Sequence, residues 1–198
     1  MTWIQTFTGK AFDLLDPKPE MVCIEDIAHH LALINRFTGA TREPYSVAQH
    51  SVLCSWIVPP ELALTALLHD APEAYVADVS RPMKEAMRDV ASDERYEQGL
   101  TAYGVPSHYD RVSERIERAI GLRFGIELVD LDPRVKHADL VMLATERVHL
   151  HGSQQRDWDL GVAPHPDFAQ GEIEPWPWRE AEIRFLARFI SAGGTPCT

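Results

Sequence analysis

The apolar residues of this chain follow a helical rather than a strand-like spacing. They recur every three or four positions in successive segments, and residues typical of helix ends separate these segments. The predicted helices cover residues 24–36, 46–57, a segment starting at 62, 82–100, 109–124, 133–150 and 178–190. The pattern therefore predicts an all-α fold.

Several helix ends carry specific signals. Ser46 followed by Gln49 three residues later has the form of a capping box at a helix start. Asp132 followed by Pro133 combines a good N-cap with proline at the first helical position, and Gly152 is a good stop. These signals fix the predicted starts of the second helix and of the long helix 133–150.

The length of 198 residues fits a single domain with a substantial core. Residues 152–177, rich in proline, glycine and tryptophan, form the one long segment without helical periodicity. A segment of that kind in a compact domain is typically a lid or a packed surface loop. We expect one domain over 1–198, with its core at 24–150 and a C-terminal helix at 178–190.

Composition and charge narrow the function classes. The formal net charge of -11 disfavours binding to a nucleic acid polymer, which requires basic surface. No apolar run approaches the roughly 20 residues that cross a bilayer, and no secretory signal is visible. The three cysteines are scattered, which argues against a disulfide framework or a cysteine zinc site. We therefore expect a cytoplasmic protein that does not bind membranes.

Polar residues interrupt two apolar helix faces. His50 shares its face with Leu53, and Asp139 shares its face with Met142, so both polar side chains should turn towards the core. A buried carboxylate is costly unless it is paired or bound to a metal. Either residue alone has an ordinary explanation, because a core histidine is usually hydrogen-bonded and an aspartate such as Asp139 can equally bond to a buried arginine.

A third helix completes the set, because the apolar segment that starts at 62 ends in His69 and Asp70. Together with His50 and Asp139, these residues offer two imidazoles and two carboxylates. Such a set suits one divalent ion, whether cobalt, manganese, zinc, iron or magnesium, and leaves positions open for water and substrate. The sequence therefore predicts a metal site.

The order of histidine, histidine-aspartate and aspartate on successive helices resembles the HD superfamily of metal-dependent phosphohydrolases. The segments INRFTGATREPYSVAQHSVL (34–53) and LLHDAPEAYVADVSRPMK (67–84) are similar to its YfbR-like branch of bacterial 5'-deoxynucleotidases and phage enzymes that remove the triphosphate from dATP. The resemblance covers residues 24–150, and it implies a single HD-domain helical bundle.

The resemblance also implies roles for individual residues. It assigns the metal to His50, His69, Asp70 and Asp139. It assigns the attacking water to Glu73 and Asp78. It assigns nucleotide contacts to Arg36 and to the aromatic residue after it, here Phe37 where the bacterial nucleotidases have tryptophan.

These roles are chemically reasonable, but each has an alternative. Glu73 lies three residues after Asp70, so one helical turn brings it to the same side; it could instead be an acid favoured by a helix N-terminus. Asp78 could cap the segment that begins near Ser80. Arg36 could be a cation favoured by the C-terminus of the first helix.

Lys84, with Arg81 nearby, is a candidate phosphate partner or a solvated surface charge.

The predicted function is hydrolysis of a deoxynucleotide, either a monophosphate or a triphosphate, by metal-activated water at the 5'-phosphoryl group. Arg42, near the expected base site, makes triphosphates at least competitive substrates. The partner is a small-molecule nucleotide, and the resemblance implies a homo-oligomer.

Other functions remain open at the level of sequence. Another HD branch would give a phosphodiesterase or alarmone hydrolase, and an HD-type oxygenase would need a second iron and more ligands. A nucleotide-binding regulator that keeps the metal site without turnover is the alternative from another class. The presence of both Glu73 and Asp78 argues against such a catalytically silent protein.

Overall fold

Helices dominate the computed structural model, which describes residues 1–98, 106–168 and 173–196. The α-helices are α1 (Ile24–Leu33), α2 (Val47–Trp56), α3 (Ala63–Leu68), α4 (Glu73–Val76), α5 (Arg81–Glu97), α6 (His108–Phe124), α7 (Pro133–Leu150) and α8 (Trp178–Ser191). The prediction of an all-α fold is confirmed. Within the described ranges, no helix combines the length and the apolarity needed to span a membrane.

One small sheet was not predicted. Strands β1 (Trp3–Gln5) and β2 (Ala11–Asp13) pair antiparallel, with Ile4 opposite Phe12. Phe12 is fully buried and stacks on Tyr75 at a ring-centroid distance of 3.7 Å. Strands of three residues are too short to establish an alternating pattern in the sequence, so this hairpin could not be recognised.

Helix α2 occupies the centre of the protein and contacts α1, α3, α7 and α8. Every residue from Val47 to Ser55 is buried. The Ser46 side chain accepts a hydrogen bond from Gln49 N, as predicted. The Gln49 side chain does not complete a capping box, because its amide binds the backbone of Glu174 and Trp176 instead.

Helix α1 ends at Leu33, so the prediction that it reaches Arg36 was wrong. The chain becomes extended instead: Asn35 pairs with Ser46 as an isolated antiparallel bridge, and Arg36 N donates to Tyr45 O at 2.9 Å. Through this pairing the backbone groups of Asn35 and Arg36 find hydrogen-bond partners without a further helical turn. The explanation of Arg36 as a helix-terminal cation is therefore excluded.

The later helices match their predicted ranges closely. Helix α7 has the predicted bounds, and the Asp132 side chain accepts from Arg134 N. Helix α6 starts one residue early, α8 ends one residue late, and α5 runs over Arg81–Glu97. The predicted end of α5 at residue 100 lies outside the described residues.

The segment predicted as a lid or surface loop packs on two helices. His165 N donates to Thr145 Oγ1 on α7, and Trp176 N donates to Gln49 Oε1 on α2. Within its described parts, 152–168 and 173–177, the helical element is one 3-10 turn at Pro166–Phe168. Residues 169–172 lie outside the described residues.

Candidate metal centre

The four predicted metal ligands converge from three parts of the fold. His50 lies on α2, Asp139 lies on α7, and His69 and Asp70 follow the end of α3. His50 Nε2 is 3.1 Å from Asp139 Oδ1 and 3.6 Å from Asp70 Oδ2. His69 Nε2 is 3.3 Å from Asp70 Oδ2 and 3.8 Å from Asp139 Oδ1. We call these residues the four-ligand group.

These separations fit donors around one ion. Nitrogen and oxygen ligands bonded to a divalent ion at 2.0–2.2 Å lie about 3–3.7 Å from their neighbours. His69 Nε2 is buried and makes no hydrogen bond of good geometry in the described part of the chain, although two carboxylates lie within 4 Å of it. A buried nitrogen of this kind has the geometry of a metal ligand rather than of a hydrogen-bond donor.

Each histidine is oriented by a partner on its other nitrogen. His50 Nδ1 is 2.6 Å from Glu146 Oε1, and His69 Nδ1 is 2.7 Å from Ala66 O. Both partners are acceptors, so both Nδ1 atoms carry the proton and both Nε2 lone pairs face the four-ligand group. Carboxylate and carbonyl partners of this type orient histidines at metal sites.

Glu146 is a residue of the candidate site that the sequence analysis missed. It is fully buried on α7 and accepts hydrogen bonds from Tyr45 Oη at 2.8 Å and from Arg36 Nε at 3.2 Å. Burial by itself would raise the pKa of Glu146, but Arg36 and His50 hold it below its ordinary value. Its position seven residues after Asp139, on the same helix face, was the signal that could have found it.

The charges around the four-ligand group favour the binding of a cation. Burial and Arg36 would lower the pKa of His50, yet Cys54, Glu146 and Asp139 hold it well above its ordinary value. The same pairing overcomes the effect of burial on Asp139 and lowers its pKa well below the usual range. Carboxylates therefore crowd around the two histidines, and a divalent ion bound by the Nε2 lone pairs would balance their negative charge.

Asp139 is more open than its helix face predicted. Val135 and Met142 on that face are buried as expected, but the Asp139 side chain keeps 40% of its surface exposed. Asp139 thus lies on the buried side of α7, as expected, but is itself only partly buried. Its partial exposure gives solvent and small molecules access to the group.

The two predicted catalytic acids flank the group on what we call the acidic turn, residues 73–78. Glu73 begins α4 with 6% of its surface exposed, and its Oε1 lies 3.4 Å from Lys84 Nζ. Its Oε2 is buried and unpartnered in the described structure. Burial, together with the charges of Asp70 and Asp78, raises the pKa of Glu73 well above its usual range.

A strained residue leads into Asp78. Ala77 has φ 65° and ψ 164°, a conformation that is essentially reserved for glycine, and its N–H donates to Glu73 O at 2.8 Å. Asp78 is partly buried, which raises its pKa. Among the described residues, Asp78 makes no hydrogen bond to the first turn of α5, so the alternative role as a cap near Ser80 has no support.

The predicted nucleotide-binding residues lie beside the group. Arg36 is 8% exposed, and its guanidinium contacts both Glu146 and Asp70. The Phe37 ring lies 4.6 Å from the ring of His151 and 5.9 Å from that of Trp158. We call Phe37, His151 and Trp158 the aromatic cluster. Trp158 comes from the predicted loop, which therefore contributes to this side of the site.

Cys54 lies beside the four-ligand group, a position that the sequence analysis did not predict. Its Sγ lies 3.3 Å from His50 Nε2, and it forms a group with the ligand atoms of His50, His69 and Asp139 in which all separations are within 4.8 Å. Burial raises the pKa of the Cys54 thiol to about 11. The scattered spacing of the three cysteines gave no indication of this proximity.

The fold and this geometry define an all-α protein with a candidate centre of two histidines and two aspartates. The chain is 42% identical over 147 residues to "Uncharacterized protein YfdR" of Escherichia coli (strain K12), covering 74% of this chain and 71% of that protein. It is 32% identical over 200 residues to "Uncharacterized protein RCAP_rcc00048" of Rhodobacter capsulatus, covering 94% and 93%. The chain therefore belongs to the family of these two proteins. No family model matches the sequence.

Proposed function

We propose that this protein is a metal-dependent phosphohydrolase of the HD superfamily that hydrolyses deoxynucleotides. The observation that carries the proposal is the convergence of the His50 and His69 Nε2 atoms with one carboxylate oxygen each of Asp70 and Asp139. The order of these residues along the chain is the one on which the resemblance to the HD superfamily rests.

The residues of the acidic turn supply the acid–base chemistry in this proposal. A divalent ion held by the four-ligand group would polarise a phosphoryl oxygen and lower the pKa of water. Glu73, with a raised pKa and a free Oε2, can take a proton from the attacking water and return it to the leaving 5' oxygen. Lys84 Nζ lies 3.4 Å from Glu73 Oε1, so its positive charge can balance a negative charge on Glu73 and can bind a phosphate oxygen of the substrate.

The aromatic cluster supports a nucleotide as the substrate. Arg36 joins it to the four-ligand group, because its guanidinium lies 5.1 Å from the Phe37 ring and 3.4 Å from Asp70. A base stacked on Phe37 would therefore sit close enough for its 5'-phosphate to reach the metal. Arg42 donates to His151 O beside the cluster and adds positive charge for a triphosphate.

The oligomeric state and the cellular location belong to the proposal as well. The resemblance implies a homo-oligomer, and the scattered cysteines favour the reducing cytoplasm. The proposed chemistry does not require an oligomer, since the ligands and acids named above all come from one chain.

The test is an assay of the purified protein with a panel of deoxynucleoside mono- and triphosphates and single divalent metals. Chelation should abolish hydrolysis, and adding metal should restore it. Triphosphate release from a dNTP would support the triphosphate proposal, whereas phosphate release from dNMPs alone would contradict it. Nucleotide binding without any product would favour the silent regulator.

The metal ligands are tested separately from turnover. His50→Ala and Asp139→Ala should each lower the metal content by elemental analysis, because each removes a donor. His137→Ala is the matched control, since His137 is an exposed histidine of α7 outside the group. Full metal occupancy in both ligand variants would contradict the assignment.

A further inference from the structure

We propose that His30 on α1 is a positioning residue, which holds the acidic turn, and with it Glu73, in place by linking the turn to the N-terminal hairpin of strands β1 and β2. The inference rests on the proposed function, in which Glu73 transfers a proton from the attacking water. It also goes beyond that function, because the resemblance to the HD superfamily assigns no role to His30.

Both ring nitrogens of His30 have a partner. Its Nδ1 lies 2.7 Å from Ala74 O in the acidic turn, and its Nε2 lies 3.1 Å from Phe7 N, in the turn between the two strands. A carbonyl oxygen can only accept a hydrogen bond, so Nδ1 carries the proton and Nε2 accepts from the Phe7 N–H. One neutral imidazole therefore bridges two segments that are far apart in the sequence.

The carbonyl that His30 binds lies at a helix end. Helix α4 has four residues, and the last carbonyls of a helix have no donor within the helix itself. Ala77 N donates to Glu73 O, and the chain then turns away at the positive φ of Ala77. Among the described residues beyond α4, no backbone N–H donates to Ala74 O. His30 therefore supplies the missing donor and fixes the backbone one residue after Glu73.

The N-terminal hairpin is a firm support, because α1 also holds it at a second place. The buried carboxylate of Asp26 accepts hydrogen bonds from Thr8 N at 2.6 Å and from Thr8 Oγ1 at 2.9 Å. In addition, the Phe12 ring of β2 stacks on Tyr75 of the acidic turn. The hairpin thus contacts the acidic turn through one ring stack and through His30, while Asp26 keeps the hairpin on α1.

Displacement of the acidic turn should lower turnover more than binding. Glu73 acts on the attacking water in the proposed mechanism, and a misplacement of about 1 Å can cost roughly 100-fold in rate. The histidines of the four-ligand group are oriented by other partners, Glu146 and the backbone carbonyl of Ala66. Loss of the bond from His30 to Ala74 O should therefore lower kcat and leave the KM and the metal content near wild type.

Two substitutions of His30 separate its two hydrogen bonds. The amide nitrogen of asparagine can occupy the place of Nδ1, so His30→Asn can still donate to Ala74 O but does not reach Phe7 N. The longer glutamine side chain reaches the place of Nε2, so His30→Gln can accept from Phe7 N but leaves Ala74 O without its donor. Each variant loses one hydrogen bond, so the two free energies of unfolding should be similar. Any difference in turnover between them therefore reports position rather than stability.

Deoxynucleotide hydrolysis by the full chain is the first readout. His30→Gln should lower kcat roughly 10- to 100-fold with the KM near wild type, whereas His30→Asn should keep most of the turnover. His29→Gln is the matched control, because the neighbouring His29 lies 3.3 Å from Glu182 on α8 rather than beside the acidic turn, and its kcat should stay at the wild-type value. The same kcat in His30→Asn and His30→Gln would overturn the positioning role.

Amide hydrogen exchange is a second readout, which does not require turnover. The Ala77 N–H donates to Glu73 O inside the acidic turn, so it should exchange about fivefold faster in His30→Gln and near the wild-type rate in His30→Asn. Equal exchange rates in the two variants would contradict the proposal. A wild-type protein that hydrolyses no deoxynucleotide would overturn the proposed function, and the exchange of Ala77 would then decide the role of His30.

Discussion

The four-ligand group and the acidic turn face the same space but are held in place very differently. The four-ligand group is backed by buried partners: Glu146 holds His50, and the backbone carbonyl of Ala66 holds His69. In the acidic turn, by contrast, Glu73 is held on one oxygen by Lys84 at 3.4 Å, and its chain then passes through the strained Ala77.

The difference indicates separate tasks. Ligands fixed from behind keep a constant geometry around an ion, which is what tight binding requires. A carboxylate with one free oxygen and a raised pKa can gain and lose a proton, which is what general acid–base catalysis requires. We therefore expect substitutions in the two regions to affect different measurable quantities.

The largest expected effect is a loss of turnover without a loss of metal or nucleotide binding. Glu73→Gln keeps the size of the side chain and removes its ability to accept a proton, so turnover should fall roughly 100- to 10,000-fold. Metal content by elemental analysis and nucleotide binding by calorimetry should stay near wild type, because Glu73 does not belong to the four-ligand group.

The matched control for this variant is Glu85→Gln on α5. Glu85 is exposed and pairs with Arg81, so its loss should leave turnover unchanged. A Glu73→Gln variant that hydrolyses substrate at the wild-type rate would show that Glu73 is structural and that the water is activated elsewhere.

Glu146→Gln should do the opposite and act on the metal. It removes the charge that orients His50 and pairs with Arg36, so metal affinity should fall roughly 10- to 100-fold. Leaving the buried Arg36 with one carboxylate fewer should also lower the free energy of unfolding by roughly 3 kcal/mol. Competition with a chromogenic chelator and urea unfolding measure the two effects.

Tyr45→Phe provides a graded comparison, because it removes a single hydrogen bond to Glu146 and keeps every charge. Its cost should be about 1.5–3 kcal/mol in stability, as for hydrogen bonds to charged groups. Metal affinity should fall less than in Glu146→Gln. Equal metal loss in both variants would mean that the charge of Glu146 is not what orients His50.

The smallest effect concerns the strain in the acidic turn. Glycine adopts the backbone conformation of Ala77 without steric cost, so Ala77→Gly should raise the free energy of unfolding by about 1 kcal/mol. Ala86→Gly, at an exposed position inside α5, should instead lower it by about 1 kcal/mol. A lower free energy of unfolding in both variants would refute the strain at Ala77.

The sequence predicted what depends on helical periodicity. The bounds of α7 follow from its cap signals, and the inward direction of His50 follows from spacing, because a helix repeats every 3.6 residues. Arg36 was misplaced because its strand-like pairing with Tyr45 depends on a segment nine residues away. Ala77 was missed because an alanine gives no sign of a glycine-like conformation.

Partners across the interior were harder to find than ligands. Glu146 meets Arg36 and Tyr45 only after residues about 100 positions apart have been brought together. Cys54 was dismissed for a similar reason, since the spacing between cysteines says nothing about its distance from two histidines. Local patterns therefore identified the four-ligand group but not the buried network behind it.

The side chain of Gln49, next to His50, behaves as a substitute peptide unit. Its amide donates to Glu174 O at 2.8 Å and accepts from Trp176 N at 2.7 Å, as a neighbouring backbone strand would. Glutamate could make only the second of these bonds, and leucine could make neither. Among relatives that share this fold, position 49 should therefore vary less than other buried positions of α2, and its replacement should be accompanied by changes at 174–176.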